Sequence, residues 1–288
     1  MATNIYMVNS QNSVALIFAD EAEVEAMIES QNKNPFLKEE RRIEYILLGN
    51  TVENISIEFD KVDTFSVSKL ASCNDVDFHF LQDLELDTLS VQNTDFLLNK
   101  TLPDSINSKK LVIGCLVESH FNLDPFSNIE SMEILSWSDK TMFEGVSNTK
   151  SLTVWGVNTK KSPVLSFAPS FPKLESLTIN KSNAINLSGI SLLRELRCLS
   201  VSYAPRLANI GDLEDLDRLE MVSFEKCGRI FDFTCLANLN RLMEIKVLDC
   251  KEIKTVEFIK NLPCLKTFTL LKTKVLDDSE NLISLIEG

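Results

Sequence analysis

A repeated apolar pattern in the second half of the chain is the strongest constraint on its fold. Five segments align on one central apolar residue, at spacings of 22, 23, 23 and 23: Leu177, Leu199, Val222, Ile245 and Phe268. Each central residue has an apolar neighbour three positions before it and another two positions after it. Apolar residues at alternate positions predict a short strand with one buried face. The pattern therefore predicts one strand in each of these periods.

A different apolar period follows each predicted strand. Leu207, Ile210, Leu213 and Leu216 are three residues apart, and segments 230–239 and 253–262 repeat the same steps. Steps of three are typical of a tight 3-10 or short helical turn that buries one side chain per turn. A strand, a turn and a short helical segment within one period describe a rung of a solenoid.

This pattern of apolar residues resembles leucine-rich repeat proteins of the 22-residue class that includes the internalins, best matched over residues 171–273. The resemblance implies an α/β solenoid, a horseshoe with a parallel concave sheet and short helical or 3-10 convex segments. The chain departs from the family at the asparagine that bridges neighbouring rungs, where it has other residues: Ser182, Ala204, Cys227, Cys250 and Thr273. A less regular spine is expected from these weaker donors.

The same alignment predicts the domain organisation. Earlier rungs are centred near Leu89, Leu111, Met132 and Leu152. Residues 41–273 are expected to form a solenoid of roughly ten or eleven rungs. Residues 1–40 predict an N-terminal α+β cap of two short strands and a helix, and residues 274–288 a short C-terminal capping helix.

Apolar strands before Leu89 follow one another at half the period of a rung: EYILLG, NISIEF, TFSVSK and VDFHF. Rungs with a second strand on their outer side are the favoured interpretation. A separate small sheet is the alternative.

Composition argues against several classes of function. The chain has 42 acidic and 29 basic residues, a net charge of −13, which would repel a phosphate backbone. It has only two histidines, eight glycines and no phosphate-binding glycine motif, so we expect no enzyme activity, no cofactor and no metal. Seven cysteines without a CxxC pair, and no basic or long apolar segment near the amino terminus, favour a cytoplasmic location away from membranes.

Four sets of polar residues have unremarkable interpretations. His79 is predicted on the exposed side of a strand, and His120 in a turn without companion ligands. The acidic residues of segment 212–217 are expected to form a solvated face. Cys227 and Cys250 lie one period apart and should stack as buried turn residues, with a disulfide or a metal pair as the less favoured alternative.

Residues that alternate with the core should line the concave face, and large apolar side chains among them are candidate binding anchors. Leu135 and Trp155 lie on adjacent predicted rungs, and Leu248 and Leu271 form a second adjacent pair. The full set of candidate partner-binding residues is Glu133, Leu135, Trp155, Tyr203, Glu225, Leu248 and Leu271. A loop from the long 152–177 rung covering Trp155 is the competing interpretation.

The favoured function is a non-catalytic protein–protein interaction module. Its acidity suggests a partner protein with a basic surface, as for an inhibitor or an immunity-type protein. The alternative is a structural protein that self-associates, as a homodimer, through its thinly capped C-terminal end.

Overall fold

A computed structural model of the chain describes residues 4–10, 13–19, 21–33, 44–49, 64–69, 79–83, 85–93, 102–115, 120–137, 142–157 and 165–285. The chain divides into two compact units. One consists of Met1–Cys115 with Phe121–Ile129, and the other of Leu116–His120 with Glu130–Gly288.

The first unit begins with the two strands and the helix expected near the amino terminus. They are β1 (Asn4–Ser10), β2 (Ser13–Ala19) and α1 (Glu21–Asn32). The unit continues with β3 (Glu44–Gly49), β4 (Thr64–Lys69), β5 (Glu85–Asn93) and β6 (Asn107–Cys115). Strands β2, β4, β5 and β6 pair in parallel in that order, and β1 pairs antiparallel with β2 and β3.

The pairing of β3 corrects the interpretation of the crowded early strands. The segment EYILLG forms β3 and adds to β1 within the sheet, so it is not the outer strand of a rung. β1 folds back on β2, which leaves its other edge for a second antiparallel neighbour. The segment NISIEF lies outside the described residues.

Both histidines are on elements other than those predicted. His79 begins a 3-10 helix, His79–Asp83, and its side chain is exposed as expected. Leu81 of this helix is fully buried, whereas residues 76–78 of the predicted strand lie outside the described residues. His120 begins a short strand, β7 (His120–Asn122), instead of lying in a turn.

The second unit contains the repeated strands. They are β8 (Ser131–Ser136), β9 (Met142–Glu144), β10 (Ser151–Trp155), β11 (Ser176–Asn180), β12 (Cys198–Ser202), β13 (Met221–Glu225), β14 (Glu244–Ile253) and β15 (Thr267–Val275). All but β9 form a parallel sheet in chain order.

The predicted register of this sheet is confirmed. Met132 pairs with Leu152, Leu152 with Leu177, and the central residues of the five aligned segments follow one another across the sheet. In the first unit Leu89 likewise pairs with Leu111. These central residues are almost completely buried, which fixes the register, because a slip of one residue would expose all of them.

The predicted steps of three correspond to 3-10 turns. The second unit has 3-10 helices at Gly211–Asp215, Thr234–Asn238 and Glu257–Asn261. Leu213 N–H donates to the carbonyl of Ile210 (3.1 Å), and Leu216 N–H donates to that of Leu213 (3.0 Å). Both leucines are buried, as the period requires. Where a closing helix was predicted, Asp278–Leu285 is also a 3-10 helix.

A row of phenylalanines links the core of the last rungs. Phe224 of β13 meets Phe233 at 5.7 Å between ring centroids, Phe258 stacks on Phe233 at 6.4 Å, and Phe268 of β15 lies 6.2 Å from Phe258. Burying a side chain of this size contributes about 1.5–3 kcal/mol. These rings therefore connect β13 to the 3-10 segment of its own rung, that segment to the 3-10 segment of the next rung, and β15 to the 3-10 segment of the rung before it.

Four of the five substituted asparagine positions still form side-chain hydrogen bonds to the backbone, and Ala204 has no group to do so. Ser182 Oγ donates to the carbonyl of Val157 (3.0 Å) and accepts from the N–H of Ala184 (3.0 Å). The Cys227 and Cys250 thiols donate longer bonds to carbonyls of the preceding rung, at 3.6 and 3.5 Å. Because sulfur is a weak donor, the cross-rung bonds differ in strength from rung to rung.

Candidate functional site: the concave sheet face

The side chains of β8 and β10–β15 that alternate with the core form a surface, here called the concave sheet face. Its middle row, from Thr153 to Thr269, is half-buried and mostly carries hydroxyl groups. Large apolar side chains lie beside it: Leu135 is 41% exposed and Leu271 is 56% exposed. Because strand pairing already fixes the backbone that carries these exposed side chains, binding a partner need not order that backbone.

Trp155 lies on this face as predicted, and its ring is held on two sides. It pairs with Asn180 in the row that alternates with the buried Val154. Its Nε1–H donates to Glu133 Oε1 at 3.1 Å, and Lys181 Nζ lies 5.8 Å from the ring centroid. Trp155 remains half-buried in this arrangement. The covering loop of the competing interpretation would need residues 158–164, which lie outside the described residues.

Tyr203 projects from the end of β12 and is 47% exposed. Lys226, one rung further, donates from Nζ to the phenol oxygen at 2.9 Å and lies 4.3 Å from the ring centroid. The hydrogen bond with Tyr203 raises the pKa of Lys226. The ammonium group of Lys226 therefore stays charged, and it orients the tyrosine ring.

The remaining predicted residues form a group at the last strands. Glu225, Leu248 and Leu271 are aligned across β13, β14 and β15. Glu225 and Leu248 are half-buried, whereas Leu271 is exposed. The structure thus places two groups on one face, with Glu133, Leu135 and Trp155 at one end and these three at the other. The polar residues Asn180 and Ser202, which are hydrogen-bonded to each other, lie between them.

One row of the site was missed by the sequence analysis. The residue four positions after the central residue of each rung from β10 to β15 has positive φ, between 50° and 70°. These residues are Gly156, Lys181, Tyr203, Lys226, Asp249 and Lys272. Only glycine adopts this left-handed conformation without steric cost, so five of these six positions are strained. The sequence signal that could have located this row is its constant position, four residues after the central residue of each rung.

A row of alternating charges lies directly before the first residues of the strands, and the sequence analysis missed this row as well. Glu130 pairs with Lys150 at 2.9 Å, and Arg197 lies between Glu175 (3.8 Å) and Glu220 (3.2 Å). The hydrogen bond and the charge of Lys150 lower the pKa of Glu130. These charges neutralise one another, so this row offers little net charge to a partner.

The cysteine pair is buried in the spine, as predicted. Cys227 and Cys250 are free thiols with no exposed surface. Their mutual hydrogen bond and burial raise the pKa of Cys227. The acidic side chains of segment 212–217 are exposed. Within the described residues, no group of three or more His, Cys, Asp or Glu side chains is placed to hold a metal ion.

In the described part of the chain, none of the helices combines the length and the apolar character needed to cross a membrane.

Comparison with solved structures supports the fold. No protein-family model and no curated protein matches the sequence. A chain in the structure of the Drosophila Toll–Spatzle complex is similar with a TM-score of 0.55 and 10% identity, over 97% of this chain and 40% of that one. The present chain thus spans less than half of the Toll-complex chain.

Two proteins of Listeria monocytogenes are similar at lower TM-scores. An internalin, InlF, has a TM-score of 0.43 and 16% identity, over 77% of this chain and 76% of that one. The functional domain of InlJ has a TM-score of 0.43 and 12% identity, over 76% of this chain and 60% of that one.

The parallel sheet, the 3-10 segments and the regular repeat of strand and turn define a leucine-rich repeat fold.

Proposed function

We propose that this chain is a non-catalytic interaction module that binds a partner protein through the concave sheet face of its second unit. The observation that carries the proposal is the group of Leu135 and Trp155, which presents a 41% exposed leucine beside an indole oriented by Glu133. Aromatic and aliphatic anchors on a rigid surface are the side chains that contribute most to protein interfaces.

A capture experiment with matched variants tests this proposal. The purified protein, the Leu135→Ala/Trp155→Ala variant and the Leu192→Ala/Phe231→Ala variant are used to capture proteins from lysate of the source cell. Leu192 and Phe231 are 53% and 43% exposed but lie outside the sheet, so this variant controls for non-specific hydrophobic binding. A partner held by the wild type and the control variant, and lost by the first variant, supports the proposal. Equal capture by all three proteins would contradict it.

The finer proposal is that the partner has a basic surface, as for an inhibitor or an immunity-type protein. The support for this is the net charge of −13, which is unevenly distributed. Residues 1–129 have 21 acidic and 9 basic residues, whereas residues 130–288 have 21 acidic and 20 basic residues. A basic surface would therefore be attracted mainly by the part of the chain before Glu130, and its binding should weaken as salt is raised.

The alternative function is self-association through the C-terminal end of the second unit. It is supported by Leu271, which is 56% exposed, and by Leu270, which is half-buried although the preceding residues of its core row are fully buried. Light scattering over a range of concentrations tests it. A molar mass that rises to that of a dimer, and stays monomeric in Leu271→Lys, favours self-association. A monomer at all concentrations excludes it.

A further inference from the structure

Basic side chains that form no salt bridge are concentrated along one margin of the sheet in the second unit. This margin, called here the basic margin, consists of the row with positive φ and the three residues that follow each of its members. Its basic residues are Lys181, Arg206, Lys226, Arg229, Lys251, Lys272 and Lys274. Within the described residues none of the seven forms a salt bridge, and Lys226 is hydrogen-bonded to Tyr203.

This concentration does not follow from composition. Residues 130–288 have almost equal numbers of basic and acidic residues. Elsewhere in this unit most basic side chains are engaged: Lys150, Arg197 and Arg218 pair with glutamates, and Lys260 pairs with Glu257. Unneutralised positive charge on one margin leaves a local field that attracts anionic groups.

The strained backbone fixes the positions of the lysines. Lys181, Lys226 and Lys272 have φ of 55°, 54° and 50°. Lys181 and Lys226 directly follow β11 and β13, and Lys272 lies within β15. Neighbouring strands are about 4.8 Å apart, so these three lysines start at intervals of roughly 10 Å. An extended peptide in the polyproline II conformation rises by about 3.1 Å per residue with three residues per turn, so every third side chain lies on one face and would meet a lysine.

The charges between the lysines indicate which kind of anion fits. Asp249 occupies the same row between Lys226 and Lys272, and Glu225 lies beside Lys226. A phosphate backbone has no gap in its charge and would meet these carboxylates. A peptide with acidic residues at spaced positions can place neutral residues opposite them, and Tyr203 offers its ring to such a residue.

We infer that the basic margin binds an extended acidic segment of a partner protein, with carboxylates on Lys181, Lys226 and Lys272. This goes beyond the proposed function, because the margin recognises the opposite charge from the basic partner proposed above. Lys181 lies near the Leu135 and Trp155 group, 5.8 Å from the Trp155 ring centroid, and the row continues away from that group through Lys226 and Lys272.

Fluorescence anisotropy with a labelled peptide tests the inference. The probe is a (Glu-Ser-Gly) repeat, whose carboxylates recur at every third residue, and a (Gln-Ser-Gly) repeat is the uncharged control. The margin variant is Lys181→Glu/Lys226→Glu/Lys272→Glu. Its control is Lys173→Glu/Arg241→Glu/Lys266→Glu, three exposed basic residues outside the basic margin, with an identical change in net charge.

The wild type should bind the acidic probe and not the uncharged one, more weakly as salt is raised. The margin variant should lose about tenfold or more in affinity, and the control variant less than about threefold. Circular dichroism checks folding, and Lys181→Gln/Lys226→Gln/Lys272→Gln provides a second loss of charge without repulsion.

Three results would overturn the inference. One is no binding of the acidic probe by the wild type. Another is equal loss in the two charge-reversal variants, which would mean attraction by net charge alone. The third is tighter binding of labelled oligothymidylate than of the peptide, which would assign the margin to nucleic acid.

Discussion

The substitution Ser182→Ala tests whether the replaced asparagine row still supports the spine of the second unit. Ser182 is 5% exposed and makes two hydrogen bonds of 3.0 Å, one to the carbonyl of Val157 and one from the N–H of Ala184. Alanine removes both bonds and leaves the N–H of Ala184 without its partner, whereas the carbonyl of Val157 still accepts from the N–H of Asn183 (3.1 Å). No other side chain is changed by this substitution.

The expected loss follows from the cost of unsatisfied buried groups. One such group costs about 1–3 kcal/mol, so we expect Ser182→Ala to lower the free energy of unfolding by about 1–3 kcal/mol. Urea denaturation followed by tryptophan fluorescence measures this, because Trp137 and Trp155 both lie in the second unit. Repeat proteins unfold in part locally, so the transition reports the rungs around these tryptophans.

Ser200→Ala is the matched control for this measurement. Ser200 is half-buried on the outward middle row of β12, where removal of a hydroxyl should cost less than about 0.5 kcal/mol. A loss for Ser182→Ala no larger than that for Ser200→Ala would refute the role assigned to the buried hydroxyl.

Three further predictions concern strain, pH and thiol reactivity. Lys272→Gly should raise the free energy of unfolding by up to about 1 kcal/mol, whereas Lys274→Gly within the same strand should lower it by about 0.5–1 kcal/mol, as measured by urea denaturation. Hydrogen bonds from Thr234 lower the pKa of Asp232 below its ordinary value of 3.8. The carboxylate therefore stabilises the fold above pH 3.8, and this stabilisation is lost as the pH falls further. The stability difference between wild type and Asp232→Ala should therefore shrink below about pH 4, and an unchanged difference would contradict this. Burial raises the pKa of Cys235 to about 12, whereas Cys264 is exposed. In alkylation mapped by mass spectrometry at neutral pH, Cys264 should therefore react faster than Cys235.

The repeating part of the fold could be predicted because its signal recurs and is buried. Central residues such as Leu177 and Val222 are apolar in every rung, and the sheet pairs them as aligned. The early strands could not be assigned in this way. A short apolar run such as EYILLG indicates a strand but not its neighbour, so antiparallel pairing with β1 was missed.

The candidate site was predictable to the same extent. Alternation alone placed Leu135 and Leu271 on the outward face, where the structure exposes them. The row with positive φ was not recognised, because glycine or asparagine usually indicates that conformation and here lysine, tyrosine and aspartate adopt it. The contacts of Glu133 with Trp155 and of Lys226 with Tyr203 depend on side-chain directions between rungs, which the sequence does not encode locally.

Footprinting of the captured complex tests the central claim most directly. The protein is labelled with a carbene reagent, free and in complex, and the modified residues are mapped by mass spectrometry. The account predicts protection of Leu135 and Trp155 on the concave sheet face, and unchanged labelling of Ile185 and Leu192, each 53% exposed in the free protein. Protection of Ile185 and Leu192 with unchanged labelling of Leu135 and Trp155 would contradict it.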